Sequence, residues 1–288
     1  MEIRNHHFEG FWHGLSEDVG GEIEPPRYVV MHYTAGGSAE SSRDYMMLSP
    51  QEKARRLGRS KPVYGSAHLV IGRQGECWQI VPFNRKARHA GTSRWNGLSS
   101  LKQYSIGIEI ANYGWLDRMG NGDYRRATTP VFAAEDVVVG PMPGSTEVKG
   151  WECYPEAQLQ RLEEITAALL DHYPSIEEVV GHQEISPGRK FDPGPAFPMQ
   201  RYRNLYLSRA DEEEEGEPAL PAFIVSTRLN IRGGPGTAYD KLEGGPLEQG
   251  TRVLEQERQG EWSRVSVASG PVSGGWLYNP YLEPTGAE

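Results

Sequence analysis

The stretch of the chain richest in reactive side chains runs from Gly181 to Pro195 and reads Gly-His-Gln-Glu-Ile-Ser-Pro-Gly-Arg-Lys-Phe-Asp-Pro-Gly-Pro. It brings His182, Lys190 and Asp192 close together in sequence. Its proline and glycine content disfavours a helix or an interior strand, so we expect a rigid loop. A neutral imidazole and a carboxylate on one loop suit zinc if a third ligand comes from elsewhere in the chain. The alternative is a plain surface loop.

His32 is the candidate for that third ligand. It lies near the end of Tyr28–Tyr33, a short apolar run that predicts a buried strand. Gly36 and Gly37 follow shortly afterwards. We therefore expect His32 near the carboxyl end of the strand, where open sheets expose their sites. The alternative is a core histidine with an ordinary hydrogen-bond partner.

A second strand is predicted over residues 105–112, and it carries a carboxylate among apolar residues. Glu109 alternates with Ile108 and Ile110, so it faces the side of the strand opposite to theirs. A carboxylate is costly to bury without a partner, so Glu109 needs either an ion pair or a chemical task. A structural salt bridge and a catalytic role both satisfy this requirement.

These segments together resemble the zinc-dependent N-acetylmuramoyl-L-alanine amidases, the family that includes amidase-type phage lysozymes and peptidoglycan recognition proteins. The resemblance rests on three ordered motifs over roughly the first two thirds of the chain. They are His-Tyr-Thr-Ala-Gly-Gly from His32, Ser-Ile-Gly-Ile-Glu-Ile-Ala-Asn from Ser105, and Gly-His-x-x-Ile-x-Pro-Gly-Arg-Lys-x-Asp-Pro-Gly from Gly181. Within the family the chain looks closest to the branch with aspartate, not cysteine, as third ligand.

The resemblance implies a reaction and a role for each motif residue. It implies one Zn²⁺ held by His32, His182 and Asp192, with water or the substrate carbonyl at the fourth position. Glu109 would take the proton of that water, and Lys190 would stabilise the oxyanion. The bond hydrolysed would be the amide between N-acetylmuramic acid and L-alanine of the peptidoglycan stem peptide. The resemblance also places four residues on the substrate side. His68 would be structural or form the groove wall. The expected substrate contacts are His89, Trp95 and Asn112.

Two other functions fit the same sequence. One is a recognition protein that binds peptidoglycan without cleaving it, although the full set of ligands favours an enzyme. The other is a cytoplasmic amidase that recycles soluble muropeptides, which the missing signal peptide would permit. A wall-binding domain would argue against recycling, because a soluble fragment needs no anchor.

The composition of the chain bears on its partners, its localisation and the state of its cysteines. The 288 residues carry a net charge of −9, which argues against non-specific binding to nucleic acid or anionic membrane. No apolar run approaches the length of a membrane span, and residues 1–20 lack the apolar core of a secretory signal. We therefore expect cytoplasmic synthesis, with action on the cell wall after lysis or specialised secretion. Cys77 and Cys153 lack metal-ligand spacing, and a disulfide between them depends on geometry that sequence does not give.

The first 208 residues are predicted to form an α/β (α+β) amidase domain, in which helices flank a mixed central sheet. Residues 38–57 predict a helix broken near Pro50, residues 67–81 a hairpin, and residues 154–173 a long helix. Residues 113–150 are weakly periodic and rich in glycine and proline, so we interpret them as an insertion over the site. A last short helix is expected over residues 199–208.

A separate domain is predicted at the carboxyl end of the chain. Residues 209–221 hold a run of acidic residues typical of a charged linker. Residues 222–288 contain short β segments that resemble a bacterial SH3-like barrel, a small all-β domain that would anchor the protein to peptidoglycan. Trp262, Trp276 and Tyr278 would line its groove, or would simply form its core.

Overall fold

The structure, a computed structural model, describes residues 1–127, 129–213, 221–267 and 272–285. The chain divides into two compact units, Met1–Tyr202 and Arg203–Glu288. No helix in the described ranges is long and apolar enough to cross a lipid bilayer. The predicted division into residues 1–208, 209–221 and 222–288 stays a prediction, since residues 214–220 of the linker lie outside the described residues.

The strands of the first unit are, in chain order, β1 (Ile3–Arg4), β2 (His7–Phe8), β3 (Val19–Glu22), β4 (Tyr28–Tyr33), β5 (Leu69–Ile71), β6 (Cys77–Gln79), β7 (Arg85–Ala87), β8 (Arg94–Trp95), β9 (Leu98–Ser99), β10 (Ser105–Ile110), β11 (Trp115–Arg118), β12 (Tyr124–Arg125), β13 (Val137–Pro141), β14 (Val148–Glu152) and β15 (Glu178–Gly181). The α-helices of the first unit are α1 (Ala39–Met47), α2 (Pro50–Arg56), α3 (Glu156–His172) and α4 (His182–Ile185). Helix α5 (Met199–Glu213) begins in the first unit, and its residues from Arg203 onward belong to the second.

A five-stranded mixed sheet forms the centre of this unit, with the order β15-β4-β10-β5-β6. Strands β15, β4, β10 and β5 are parallel, and β6 returns antiparallel to β5. The parallel strands are apolar on both faces because both faces are covered, and Val29, Val30 and Ile108 are fully buried. The predicted mixed sheet is confirmed. Its parallel strands bring their carboxyl ends to one edge.

Helices α1 and α2 begin directly after serine residues that cap them. Ser38 accepts a hydrogen bond from Ser41 N–H at 3.1 Å and starts α1, and Ser49 caps α2, which begins at Pro50. Helix α3 buries one stripe of side chains against the first unit: Leu159, Leu162, Ile165, Leu169 and Leu170. The predicted break near Pro50 and the long helix are confirmed.

Helix α5 is longer than predicted. It runs to Glu213 and not to Ser208, so it includes the first acidic residues of the predicted linker. The acidic run indicated a self-repelling linker, but glutamate is also a good helix former, and Glu212 and Glu213 follow Asp211 in a helix that already exists.

Residues 113–150, interpreted above as an insertion over the site, contain regular strands. Together with the two residues that follow, they form a four-stranded antiparallel sheet, with the order β12-β11-β14-β13, around a small cluster of Leu116, Tyr124 and Val137. Each strand has at most five residues, too short for a clear alternation of apolar and polar residues. The indole of Trp151 in this sheet packs against Gly194, in the loop that carries Asp192.

The second unit holds a five-stranded antiparallel sheet with the order β19-β18-β17-β16-β20. Its strands are β16 (Ala222–Val225), β17 (Arg252–Gln259), β18 (Trp262–Val267), β19 (Gly274–Tyr278) and β20 (Leu282–Pro284). Its core is aliphatic and includes Val225, Ile231, Val253, Val265 and Leu277. Trp262, Trp276 and Tyr278 are only half-buried, so they lie at the edge of that core.

Candidate active site

Three side chains converge at the carboxyl edge of the central sheet. His32 Nδ1 lies 2.8 Å from His182 Nδ1 and 3.0 Å from Asp192 Oδ2, and His182 Nδ1 lies 2.9 Å from the same oxygen. All three residues are buried, and each offers one possible ligand atom to a common point. The three candidate ligands, far apart in sequence, thus lie together in the fold.

Strand pairing places the next functional residue beside this cluster. Glu109 on β10 is the register partner of His32 on β4, and the two strands are parallel. Side chains of register partners project from the same face of a sheet. Glu109 Oε2 is buried and has no hydrogen-bond partner within the described ranges, so the structure gives it no salt bridge.

The segment that carries His182 and Asp192 begins with regular structure. His182 is the first residue of the short helix α4, which follows β15 directly, so the expectation of a loop throughout was wrong for residues 181–185. Proline and glycine are concentrated after this turn, and the local sequence His-Gln-Glu-Ile is compatible with a helix. The Glu184 carboxylate accepts a hydrogen bond from Gly181 N–H at 2.6 Å and fixes this start.

Hydrogen bonds from neighbouring elements hold the Asp192 loop in place. Gln183 N–H donates to Asp192 O at 2.8 Å, and Gly194 N–H donates to Gln183 Oε1 at 3.0 Å. The Tyr154 hydroxyl donates to Pro193 O at 2.8 Å. Backbone groups on both sides of Asp192 are therefore tied to the fold, which limits the movement of its carboxylate.

A hydrogen-bond chain determines which nitrogen of His32 faces the cluster. The Ser105 hydroxyl donates to Leu101 O at 2.6 Å, so its oxygen accepts from His89 Nε2–H at 3.3 Å. Neutral His89 then carries its lone pair on Nδ1, which accepts from His32 Nε2–H at 2.9 Å. Nδ1 of neutral His32 is left with a lone pair directed at the cluster.

A similar contact orients His182, and a glycine makes room for His89. His182 Nε2 lies 3.2 Å from Ala90 O, which can only accept, so Nδ1 of the neutral ring carries the lone pair. A Cβ atom at Gly107 would overlap the ring of His89. Strand β10 therefore needs glycine at this position for His89 to reach His32.

Burial sets the charge state of the cluster. It lowers the pKa of His32 to about 4 and that of His89 well below its usual range, so both rings are neutral near pH 7. The site thus offers the neutral imidazole of His32 next to the side chains of His182 and Asp192.

A cavity of about 770 Å³ opens onto the cluster. Glu109, Lys190, His182, Asp192 and His89 are among the residues that line it. Burial and the charge of Asp192 raise the pKa of Glu109 to about 8, and the positive charge of Lys190 opposes this shift. A carboxylate with a pKa near neutrality suits proton transfer.

Of the four residues predicted on the substrate side, His89 lines this cavity and the other three do not. His68 is fully buried, and its ring bonds Gly107 N–H and Arg85 O at 2.9 Å each. Asn112 is fully buried and bonds Gly114 N–H and Glu152 O. Both side chains thus have hydrogen-bond partners inside the fold, and their expected place on the substrate side stays a prediction.

Trp95 also lies away from the cluster. Its indole N–H donates to Glu178 Oε2 at 2.8 Å, and the ring packs beside a buried cluster that includes Tyr28. It borders a separate surface depression formed by residues 94–99. Its adjacency in sequence to the His89 segment suggested a shared groove, but the β8–β9 turn directs it elsewhere.

Several cavity residues were not found by sequence reasoning. They are Tyr33, Tyr45, Met46, Tyr64 and Arg88. Tyr33 follows the ligand His32, and Arg88 precedes His89, so adjacency to a site motif was the only sequence signal. Tyr45 and Tyr64 come from separate segments that the fold brings to the cavity.

Comparison with known proteins agrees with this site. The family described as N-acetylmuramoyl-L-alanine amidase matches residues 22–195, which hold all three candidate ligands, Glu109 and Lys190. This match covers more than half of the chain. The protein therefore belongs to the N-acetylmuramoyl-L-alanine amidase family.

Curated relatives match about half of the chain. The 1,6-anhydro-N-acetylmuramyl-L-alanine amidase AmpD of Escherichia coli is 36% identical over 141 residues, which cover 49% of this chain and 57% of that protein. The N-acetylmuramoyl-L-alanine amidase AmiD of the same organism is 34% identical over 125 residues, which cover 43% of this chain and 36% of that protein. The chain thus spans little more than half the length of AmpD and about a third of AmiD.

Two solved amidase structures are also similar to this chain. A crystal structure of an AmpD derivative is 27% identical, covers 71% of this chain and 99% of that chain, and has a TM-score of 0.49. The complex of Escherichia coli AmiD with anhydro-N-acetylmuramic acid-L-Ala-D-γ-Glu-L-Lys is 27% identical, covers 69% of this chain and 60% of that chain, and has a TM-score of 0.44.

Proposed function

We propose that this protein is a zinc-dependent N-acetylmuramoyl-L-alanine amidase. It hydrolyses the amide between the lactyl group of N-acetylmuramic acid and L-alanine of the stem peptide. The observation that carries the proposal is the convergence of His32, His182 and Asp192 within 3.0 Å, next to Glu109 and inside one cavity. Family membership gives independent support.

The three converging atoms fit a divalent cation. In the tautomers derived above, His32 Nδ1, His182 Nδ1 and Asp192 Oδ2 all present lone pairs, with no hydrogen between them. Three acceptors so close repel one another unless a positive charge lies between them. Two imidazoles and one carboxylate are the donor set of catalytic zinc, which keeps a further position open. Bound zinc would polarise the scissile carbonyl and lower the pKa of a water molecule.

Glu109 and Lys190 take the remaining roles. Glu109 accepts the proton of the attacking water and passes it to the leaving amine of L-alanine, so the same carboxyl group acts as base and then as acid. Its buried, unpaired oxygen and its raised pKa support this role. Lys190 offers a positive charge to the oxyanion that develops on the carbonyl.

A second candidate is an amidase specific for 1,6-anhydromuropeptides, the soluble fragments named in the relative AmpD. The 36% identity to that relative favours it. Both candidates share one chemistry and differ in the sugar accepted. Parallel assays on intact sacculi and on soluble 1,6-anhydromuropeptides separate the two.

We further propose that residues 222–288 form an SH3-like domain that holds the enzyme on peptidoglycan. Five short antiparallel strands and an aliphatic core support this proposal. Trp262 and Tyr278 border one depression together with Arg232. Half-buried aromatic rings are suited to packing on sugar faces, because each presents an apolar surface next to a polar edge.

Mass spectrometry of digested peptidoglycan tests the reaction. The expected products are a free stem peptide that begins with L-alanine and a glycan that retains its lactyl carboxylate. Elemental analysis is expected to give one zinc per chain, and His182→Ala is expected to lose both metal and activity. His172→Ala, a change of an exposed histidine on α3, serves as the matched control. Less than half an equivalent of zinc after reconstitution would contradict the metal assignment.

A further inference from the structure

Arg88 lies on the wall of the active-site cavity and directly precedes His89, which contacts the ligand His32. Its guanidinium carbon lies 4.6 Å from the centre of the Tyr64 ring, which also lines the cavity. Its backbone N–H donates to Ser66 Oγ at 3.0 Å. Arg88 is therefore held at a defined point near the reaction centre.

The guanidinium group of Arg88 forms an ion pair with a buried carboxylate, that of Asp18. Arg88 Nε lies 3.0 Å from Asp18 Oδ1, and Lys53 Nζ lies 2.9 Å from Asp18 Oδ2. The side chains of Asp18 and Lys53 are fully buried, while that of Arg88 is 33% exposed. One carboxylate faces two cations, so the group carries a net positive charge. Arg88 is the member that can present this charge to the cavity.

The free donors of Arg88 point to a ligand of opposite charge. Among the described residues, neither terminal amino group of Arg88 has a hydrogen-bond partner. The neighbouring Arg189 differs, because its Nη2 donates to Ala90 O, Thr92 O and Ser186 Oγ. The Nη2 group of Arg189 therefore bonds other parts of the protein, whereas the terminal amino groups of Arg88 can donate to a carboxylate.

We propose that Arg88 is a specificity-determining residue that binds the free α-carboxylate of the second stem-peptide residue, D-glutamate. This inference rests on the proposed amidase function. In peptidoglycan that glutamate is joined through its γ-carboxyl group, so its α-carboxylate stays charged. The carboxylate lies about two residues beyond the scissile amide, within roughly 7 Å along an extended chain. Arg88 is adjacent in sequence to His89, which contacts the candidate ligand His32, and both line the cavity, which agrees with this short reach.

Two substrates that differ at one group test the proposal on the full-length, zinc-loaded chain. They are N-acetylmuramoyl-L-alanyl-D-glutamate, with a free α-carboxylate, and N-acetylmuramoyl-L-alanyl-D-isoglutamine, in which that carboxylate is an amide. The wild type is expected to prefer the acid by about 10- to 100-fold in kcat/KM, chiefly through KM, the range for a hydrogen-bonded charge pair. Arg88→Gln is expected to abolish the preference by raising KM for the acid to that for the amide. Arg88→Lys is expected to keep part of it.

Asp18 retains Lys53 and Gly65 N–H as partners in these variants, so the fold is expected to persist. Arg43→Gln is the matched control, since Arg43 lies 4.9 Å from the Trp78 ring but does not line the cavity. Equal losses on both substrates in Arg88→Gln, or no preference in the wild type, would overturn the proposal. Calorimetry of both compounds with the Glu109→Gln variant measures the preference for the acid even if neither compound is cleaved. A failure to cleave either compound would, by itself, contradict only the amidase function.

Discussion

Glu109 and His32 are register partners on the adjacent parallel strands β10 and β4. Their Cα atoms are therefore about one inter-strand spacing apart, roughly 4.8 Å, and their side chains leave the same face of the sheet. This pairing places a carboxyl group beside a candidate ligand without help from any loop. It also explains why both residues belong to short apolar strand motifs.

Glu109→Gln is expected to separate chemistry from metal binding. Glutamine keeps the size of the side chain but cannot accept the proton, so turnover should fall by about 10²- to 10⁴-fold. Zinc content and thermal unfolding of the zinc-loaded chain should stay at wild-type values. Glu164→Gln on the exposed side of α3 is the control. Near-normal activity of Glu109→Gln with zinc bound would show that Glu109 is structural.

Lys190→Ala is expected to lower kcat by about 10²- to 10³-fold, the usual cost of removing one oxyanion donor. Lys190 provides no ligand atom, so zinc content should be unchanged. Steady-state kinetics with parallel metal analysis checks both points, with the exposed Lys61→Ala as control. A change confined to KM would instead indicate that Lys190 only binds substrate.

Ser105→Ala tests the hydrogen-bond chain that orients His32. Without the Ser105 hydroxyl, the orientation and tautomer of His89 are no longer fixed, and His32 Nε2 loses a well-placed acceptor. Zinc affinity is expected to fall by about 10- to 100-fold, as for other residues that position metal ligands. Competition with a chromogenic chelator measures it. Thr166→Ala removes a buried hydroxyl that donates to Leu162 O within α3, outside this hydrogen-bond chain, and should leave the affinity unchanged.

The raised pKa of Glu109 predicts a pH effect on the stability of the metal-free protein. Burial raises the pKa of Glu109 to about 8 in the folded chain, from an ordinary value of 4.5. The folded state therefore binds the proton more tightly, and the free energy of unfolding falls as pH rises from about 4.5 to about 8. Relative to Glu109→Gln, the wild type should lose stability on the order of a few kcal/mol across this window. Urea unfolding of both metal-free proteins at pH 5 and pH 8 measures the difference. Parallel pH profiles would contradict the shift.

Limited proteolysis tests the domain assignment. Cleavage within the acidic run of residues 211–217 is expected to release an active core, because a run of like charges in the sequence predicts a linker, a preferred site of nicking. The core should cleave soluble substrate at the full-length rate but bind whole sacculi less well. Cosedimentation with sacculi checks this. Unchanged sedimentation of the core would show that residues 222–288 do not anchor the enzyme to this substrate.

The central sheet and the ligand cluster could be predicted from sequence because their signals are local and distinctive. The apolar run at residues 28–33 predicted a strand that carries His32, and the segment from Gly181 combined two ligands with Lys190. Ligand convergence then followed from parallel topology, since the carboxyl ends of parallel strands meet at one edge. Helix α3 was predictable because its apolar spacing extends over several turns.

Other features depended on contacts between distant segments. His89 can reach His32 only because Gly107 on a neighbouring strand has no side chain. No local sequence pattern indicates this close approach of the His89 ring to Gly107. The same holds for Arg88, whose position depends on Asp18, 70 residues earlier in the chain. His68 and Asn112 carry polar groups typical of a groove, but backbone groups of adjacent strands and loops use them fully.

The separation of the ligands along the chain has a consequence during protein synthesis. His32 and Asp192 are 160 positions apart, and His182 is 150 positions from His32. At a translation rate of about 5 to 20 residues per second, His32 leaves the ribosome roughly 8 to 32 s before Asp192. During that interval the nascent chain cannot assemble the three-ligand site, so a lone exposed imidazole competes only weakly for metal. Tight binding of the cation is therefore expected only after the first unit has left the ribosome and its central sheet has formed.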